Sequence, residues 1–150
     1  MVSTGYSNLG EEWAQKLAFR SDLITRDATI EIVLFDDSVD QLTDASDAGD
    51  ITTEPTTGNY TPQTITLDSS DVTLSIQNGD LRAEATVTFD LTNTTDTIDS
   101  SACLVDFQSD IVNNETAQNT HHIYSASLDI GSIDTSNFTS IDVVTQLDLA

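Results

Sequence analysis

Twenty-six Asp and Glu side chains stand against four Lys and Arg in this chain of 150 residues, a formal net charge of −22. That imbalance limits what the chain can fold into before any local pattern is considered. With so few opposite charges to pair, self-repulsion opposes compaction in dilute buffer. The repulsion is relieved when salt shortens the screening distance to about 3 Å at 1 M. The expectation is a protein built for concentrated brine. The kind of acid agrees, because Asp outnumbers Glu and Lys16 is the only lysine. Short Asp side chains hold water near the backbone, and scarce lysine removes long aliphatic stems from the surface. An acidic disordered chain is the alternative, but the apolar residues recur with strand and helix periods, which favours a packed core. No basic patch is present to neutralise phosphates, so nucleic acid is not expected as a direct partner.

The length suits one domain able to bury its own core. A chain rich in Thr, Val and Ile, and poor in helix-favouring Lys and Ala, leans toward strands. Cys103 is the single cysteine, so no internal disulfide is available. Met1 to Gly10 has neither the basic region nor the apolar run of a signal peptide, and no stretch has the length of a membrane span. Synthesis in the cytoplasm and no membrane partner are therefore expected.

Charge divides the chain in two. Residues 1–26 carry Lys16, Arg20 and Arg26 against Glu11, Glu12 and Asp22, a net of zero; beyond them 23 acids face only Arg82. The neutral segment also holds the one clear helix pattern. Asn8 reads as its N-cap with Glu11 three residues on, and Leu9, Trp13 and Leu17 recur every four residues as one apolar stripe. The expected organisation is a helical segment at 1–26 and a β-domain at 27–150. The stripe either caps the domain's own core or docks on a partner subunit. On the docking reading the contact residues are Leu9, Trp13, Lys16, Leu17 and Arg20.

Beyond Arg26 the pattern becomes alternation. Thr29 to Phe35 reads as a strand apolar on both faces, hence a central, doubly covered one. Asp36 to Pro62 lacks periodicity and reads as a long loop or several turns. Asn78-Gly79 supplies the two positive φ angles of a type I′ hairpin turn, which sets Ile76 opposite Leu81, Leu74 opposite Ala83 and Val72 opposite Ala85, all apolar on one face. Further strands are expected at Ile65 to Leu67, Cys103 to Phe107, His122 to Leu128 and Ile141 to Leu149. Several short alternating strands predict a mainly β protein, an antiparallel β-sandwich with the jelly roll as one form of it, preceded by the short N-terminal α-helix.

Motifs with chemistry are few. His121 and His122 are neighbours on a strand, where side chains point to opposite faces, so they do not readily share a metal. Asp44, Asp47 and Asp50 lie near Gly49, but their spacing does not match the alternate-position ligands of a calcium loop, and a solvated acidic face is the better reading. Asn59, Asn93, Asn114 and Asn137 begin acceptor-like sequences that arise readily in a Thr-rich chain. There is no phosphate loop, no nucleophile elbow and no oriented Cys and His pair. No enzyme, metal or cofactor is expected; a hydrolase would have to rest on His121 or His122.

Taken in order, Tyr6-Ser7-Asn8-Leu9-Gly10-Glu11-Glu12, a strand ending in Leu34-Phe35-Asp36-Asp37, then Glu54-Pro55 and Asn59-Tyr60 before the following strand, form a pattern that resembles small virion proteins of tailed viruses. The chain departs from it at Thr61-Pro62-Gln63, where relatives tend to carry a basic residue after the Tyr step. With the acidic composition, the resemblance implies a non-enzymatic virion protein of a tailed virus of halophilic archaea. It would be made in the host cytoplasm and carried on the head as a decoration, turret or vertex component. Its implied partners are further copies of itself in a symmetric oligomer and the major capsid protein or neighbouring virion proteins. A tail or baseplate component is the near alternative. A carbohydrate-binding or adhesion sandwich is the more distant one, with the loop at 36–62 as its site and Tyr60 as the one residue there able to stack on a sugar.

Overall fold

The computed structural model describes residues 5–8, 10–11, 29–66, 68–77, 80–106 and 120–148. Among them the protein is mainly β and antiparallel. Its strands are β1 (Gly5–Tyr6), β2 (Thr29–Phe35), β3 (Gln63–Thr66), β4 (Thr73–Gln77), β5 (Asp80–Asp90), β6 (Thr97–Ile98), β7 (Ser100–Asp106), β8 (Thr120–Ser127), β9 (Ile133–Asp134) and β10 (Ser140–Asp148). They form a five-stranded sheet in the order β1-β8-β7-β2-β3, a three-stranded sheet β10-β5-β4 and a two-stranded ribbon β6-β9.

Strand β2 is central, and its apolar run Ile32 to Phe35 is covered on both sides as that run predicts, while Thr29 and Glu31 are exposed. Successive side chains point to opposite faces. Ile30, Ile32 and Leu34 enter one buried cluster with Ile65, Val87, Phe89, Cys103, Val105 and Val143, while Val33 and Phe35 enter a second with Leu42, Ala102 and Leu104. The first cluster thus draws on both large sheets. Each such side chain contributes roughly 1.5–3 kcal/mol on burial, which makes this strand the main apolar store of a chain poor in large hydrophobes. The β7–β8 ladder slips between Cys103, opposite Tyr124, and Leu104, opposite His122, so β8 spends one extra residue in a bulge.

The hairpin register is the expected one. Gln77 pairs with Asp80 across the two-residue connection, Ile76 with Leu81 and Leu74 with Ala83. Its burial is not uniform. Ala85, Val87 and Phe89 lie in the core, Val72 packs against it from just before β4, but Leu74 is 66% and Ile76 76% exposed. The ladder fixes which residues face each other, while the expected type I′ turn at Asn78-Gly79 lies outside the described residues; burial needs an opposing surface, and neither Leu74 nor Ile76 reaches a core cluster.

At the N-terminus, Gly5 and Tyr6 pair with Ser125 and Tyr124 at the edge of the five-stranded sheet, a strand the sequence does not announce. The helical turn that follows is capped by Ser7 rather than Asn8: Ser7 Oγ accepts the Gly10 N–H at 3.0 Å and the Ser7 carbonyl accepts the Glu11 N–H at 2.9 Å. Ser7 is buried and Asn8 exposed, with the Asn8 N–H given to the Asp44 carbonyl instead. The rest of the expected helix, with Leu9, Trp13, Lys16, Leu17 and Arg20, lies outside the described residues.

One close approach holds the long loop to the body. Gly58 has φ of +65°, and a Cβ there would sit 2.4 Å from the Asn93 carbonyl carbon and the Thr94 nitrogen. Next to it the Asn59 N–H donates to the Thr92 carbonyl at 3.0 Å, and Thr57 Oγ1 donates to Asp96 at 2.9 Å. Gly131, also left-handed at +70°, has open space around it. Gly131→Ala should therefore cost only about 1–2 kcal/mol, the left-handed penalty alone, whereas Gly58→Ala adds a backbone clash and should cost clearly more. Chemical denaturation of the two variants in high salt checks the order.

Candidate functional site

The stretch from Asp36 to Pro62 is held by its own polar side chains. Asp36 follows the last residue of β2, and its carboxylate accepts the Ser38 N–H at 3.0 Å and so starts the one-turn helix α1 (Asp37–Asp40). Asp37, 4% exposed, accepts the Leu42 N–H at 2.8 Å, and its own N–H donates to Asp99 at 2.8 Å. Asp40 receives both hydroxyls of Thr52 and Thr53 at 2.6 Å and both their N–H groups at 3.1 and 3.2 Å. Partial burial pushes the Asp40 carboxyl up, but these donors outweigh it and leave the group below the usual Asp range.

At the end of the loop Tyr60 is buried. Its ring stacks on Phe89 with centroids 5.6 Å apart and planes within 7°. Its hydroxyl accepts the Leu34 N–H at 3.0 Å and donates to Glu54 Oε1 at 3.1 Å. The phenol thus joins β2, β5 and the loop. Burial holds it protonated far above the ordinary tyrosine range, with Glu54 adding in the same direction against the Leu34 bond. Burial likewise raises Glu54, opposed by the Tyr60 hydroxyl and reinforced by Glu31. A ring stacked inside the core is not a platform for a sugar, so the sequence expectation for Tyr60 is corrected.

A second pattern recurs along the chain. Asp36, Asp68, Asp90 and Asp134 each accept the N–H of the residue two positions on, Ser38, Ser70, Thr92 and Ser136, at 3.0, 2.7, 2.9 and 2.9 Å. The hydroxyls of Ser38, Ser70 and Ser136 donate to the same carboxylates. The Ser70 and Ser136 hydroxyls are the first cause that lowers Asp68 and Asp134, and the Asn59 amide, 3.0 Å from the carboxylate, does the same for Asp90. The Thr66 N–H lowers Asp71. These acids are turn-forming acceptors. The spacing Asp-x-Ser/Thr is the signal in the sequence that marks these turns.

The other singled-out residues come out as follows. Asp47 caps the 3-10 turn Ala48–Asp50, and Asp50 returns to the Asp47 N–H at 2.8 Å, so two members of the Asp44, Asp47, Asp50 group are spent on local capping. His121 and His122 are consecutive in β8, opposite Val105 and Leu104. Among the described residues no three His, Cys, Asp or Glu side chains converge as a metal would need. Cys103 is fully buried, and burial pushes its thiol up to about 12; such a thiol is a poor nucleophile. Among the described residues no helix is long and apolar enough to cross a membrane. The three-stranded sheet contributes Thr73, Glu84, Thr86 and Thr88 to an open trough of about 900 Å³, rimmed by Asp71 and Asp129. Such a lining of hydroxyls and carboxylates binds water and ions of the medium more readily than apolar ligands.

No protein-family model, no curated protein and no solved structure matches this chain.

Stability should follow pH with two opposite signs. Asp40, Asp68, Asp71, Asp90 and Asp134, all lowered by folding, contribute stability that is complete above the unfolded Asp pKa and is lost as pH falls through their lowered folded values. Glu54, raised by folding, opposes this, and its ionised form disfavours the folded state above its raised pKa. Tyr60→Phe removes the donor to Glu54 and leaves the Leu34 N–H without its acceptor, which should cost about 1–3 kcal/mol. It also lifts Glu54 further, so the deficit should be larger at pH 7 than near pH 4. Thermal melts of both proteins at the two pH values check this.

Proposed function

We propose that this chain is a non-enzymatic structural protein in the virion of a tailed virus of halophilic archaea, carried on the head as a decoration, turret or vertex component. The body is read as a β-sandwich, its three-stranded sheet lying face to face on the five-stranded one. The observation that carries the high-salt part of the reading is how the carboxylates are held. Asp40, Asp68, Asp90, Asp134 and Asp142 accept hydrogen bonds from threonine and serine hydroxyls, backbone amides or the Asn59 amide. Such bonds orient an acid without neutralising it. The charge is left to ions in the medium, which suits a surface bathed in brine.

The virion part rests on the likeness of the Tyr6–Glu12, Leu34–Asp37 and Asn59–Tyr60 steps to small virion proteins, and on the uneven charge. Like-charged copies meet most easily where charge is low, and residues 1–26 are the neutral stretch of the chain. Symmetric self-assembly and attachment to the major capsid protein are therefore assigned to Leu9, Trp13, Lys16, Leu17 and Arg20.

Two measurements test this. Lowering salt to about 0.1 M lengthens screening to roughly 10 Å, so circular dichroism should report loosening or unfolding that salt reverses. An unchanged spectrum and melting temperature would remove the halophilic reading. Mass spectrometry of separated heads and tails should find the chain in the heads, and Lys16→Glu with Arg20→Glu should abolish its incorporation while the circular dichroism in high salt stays the same. Recovery in tails would move it to the tail or baseplate; undiminished incorporation would overturn the assigned contact segment.

A further inference from the structure

The two large sheets have unequal strand counts, and the difference leaves a strand-sized position open. Cys103 and Val105 of β7 share one buried cluster with Val143 of β10, and on the face-to-face packing proposed above β10 lies over β7. On that packing β8, next beyond β7, extends past β10, whose outer edge pairs with no other strand among the described residues. Between them runs a cleft of about 450 Å³, walled by Ala126, Leu128 and Ile130 on one side and by Ile141 and Val143 on the other, with Asp129 and Asp142 at its rim. Ile130 and Val144 beside it are 57% and 54% exposed.

Of the usual edge protections β10 has only charge, at Asp142 and Asp148. Natural edge strands are shortened, bulged or guarded by Lys and Pro. Here all nine residues Ser140–Asp148 pair with β5 without a register shift, and none of them is Lys, Pro or Gly. An edge of this length, beside an apolar wall one strand away, has the layout of a β-augmentation site. There the main chain supplies affinity and alternate side chains supply fit.

We infer that the cleft between β8 and β10 accepts an extended strand of another protein, one free of net negative charge and apolar at alternate positions, which continues the three-stranded sheet at β10. The inference rests on the face-to-face packing proposed above. Charge selects the occupant, because the rim carries Asp129 and Asp142 and an acidic strand would meet like charge there. Charge also disfavours a second copy's β10, which would bring its own Asp142 and Asp148 to this edge.

The test uses the full chain in high salt and two labelled synthetic peptides that alternate Val and Thr, one ending in Lys at both ends and one ending in Asp. Fluorescence anisotropy should show the Lys peptide binding and the Asp peptide binding more weakly. Hydrogen exchange should show amides of 140–148 gaining protection when the Lys peptide is bound. Val144→Asp should weaken that binding roughly fivefold, the worth of one cross-strand pair. Failure of the Lys peptide to bind would overturn the inference. So would edge amides already protected in the free monomer, which would mean the chain covers its own edge, or protected only in a concentration-dependent dimer, which would mean a second copy does. The sheet packing is read separately from Thr145→Cys, which forms a disulfide with Cys103 on mild oxidation only if β10 lies over β7.

Discussion

The strand from Thr29 to Phe35 is buried along one face from Ile30 and along the other from Val33, and most of the architecture exists to cover it. Ile30, Ile32 and Leu34 need one apolar surface, Val33 and Phe35 another. The first comes from β3, β5, β7 and β10. The second comes from Leu42, Ala102 and Leu104, with Ala48 and Ile51 packed at its margin. A chain this acidic has few large hydrophobes to spend, so it concentrates them on one strand and wraps that strand from both sides. The loop after β2 is therefore a structural cover, and its polar side chains are turned to holding it in place.

Tyr60 shows how the cover is fastened. The ring extends the apolar core by stacking on Phe89, while the hydroxyl satisfies the Leu34 N–H of the buried strand and reaches Glu54 in the loop. One side chain thus ties three parts of the chain that are far apart in sequence. Gly58, two residues earlier, lets the backbone come close enough to the turn at Asn93 and Thr94 for this to happen. The Asn59-Tyr60 step that stands out in the sequence has a physical basis in that pair of constraints.

Much of the sheet was legible from alternation. The bounds of β2, the register about residues 78 and 79, and the strands at β7, β8 and β10 follow from period-two patterning and from turn chemistry, both of which are local. What could not be read is non-local. Whether Leu74 and Ile76 are buried depends on a surface opposite them, and no window of sequence reports that surface. Ser7 displaced Asn8 as the cap because a buried hydroxyl there reaches the Gly10 N–H, while the Asn8 N–H is claimed by Asp44, far away in sequence. Tyr60 read as a free aromatic in a loop because its partner Phe89 is 29 positions on. The residues expected to make contacts, Leu9, Trp13, Lys16, Leu17 and Arg20, fall outside the described part, so their placement rests on charge and periodicity alone.

The four Asp-x-Ser/Thr turns separate two jobs that acidic residues usually do together. At Asp68, Asp90 and Asp134 the oxygen that accepts the amide two positions on sets the bend, and the charge is incidental to that geometry. Asparagine offers the same acceptor oxygen at the same reach. The shape of these bends and the electrostatic load of the surface can therefore vary independently in evolution. Exchange of Asp for Asn at these corners would shed charge and keep every fold of the chain where it is.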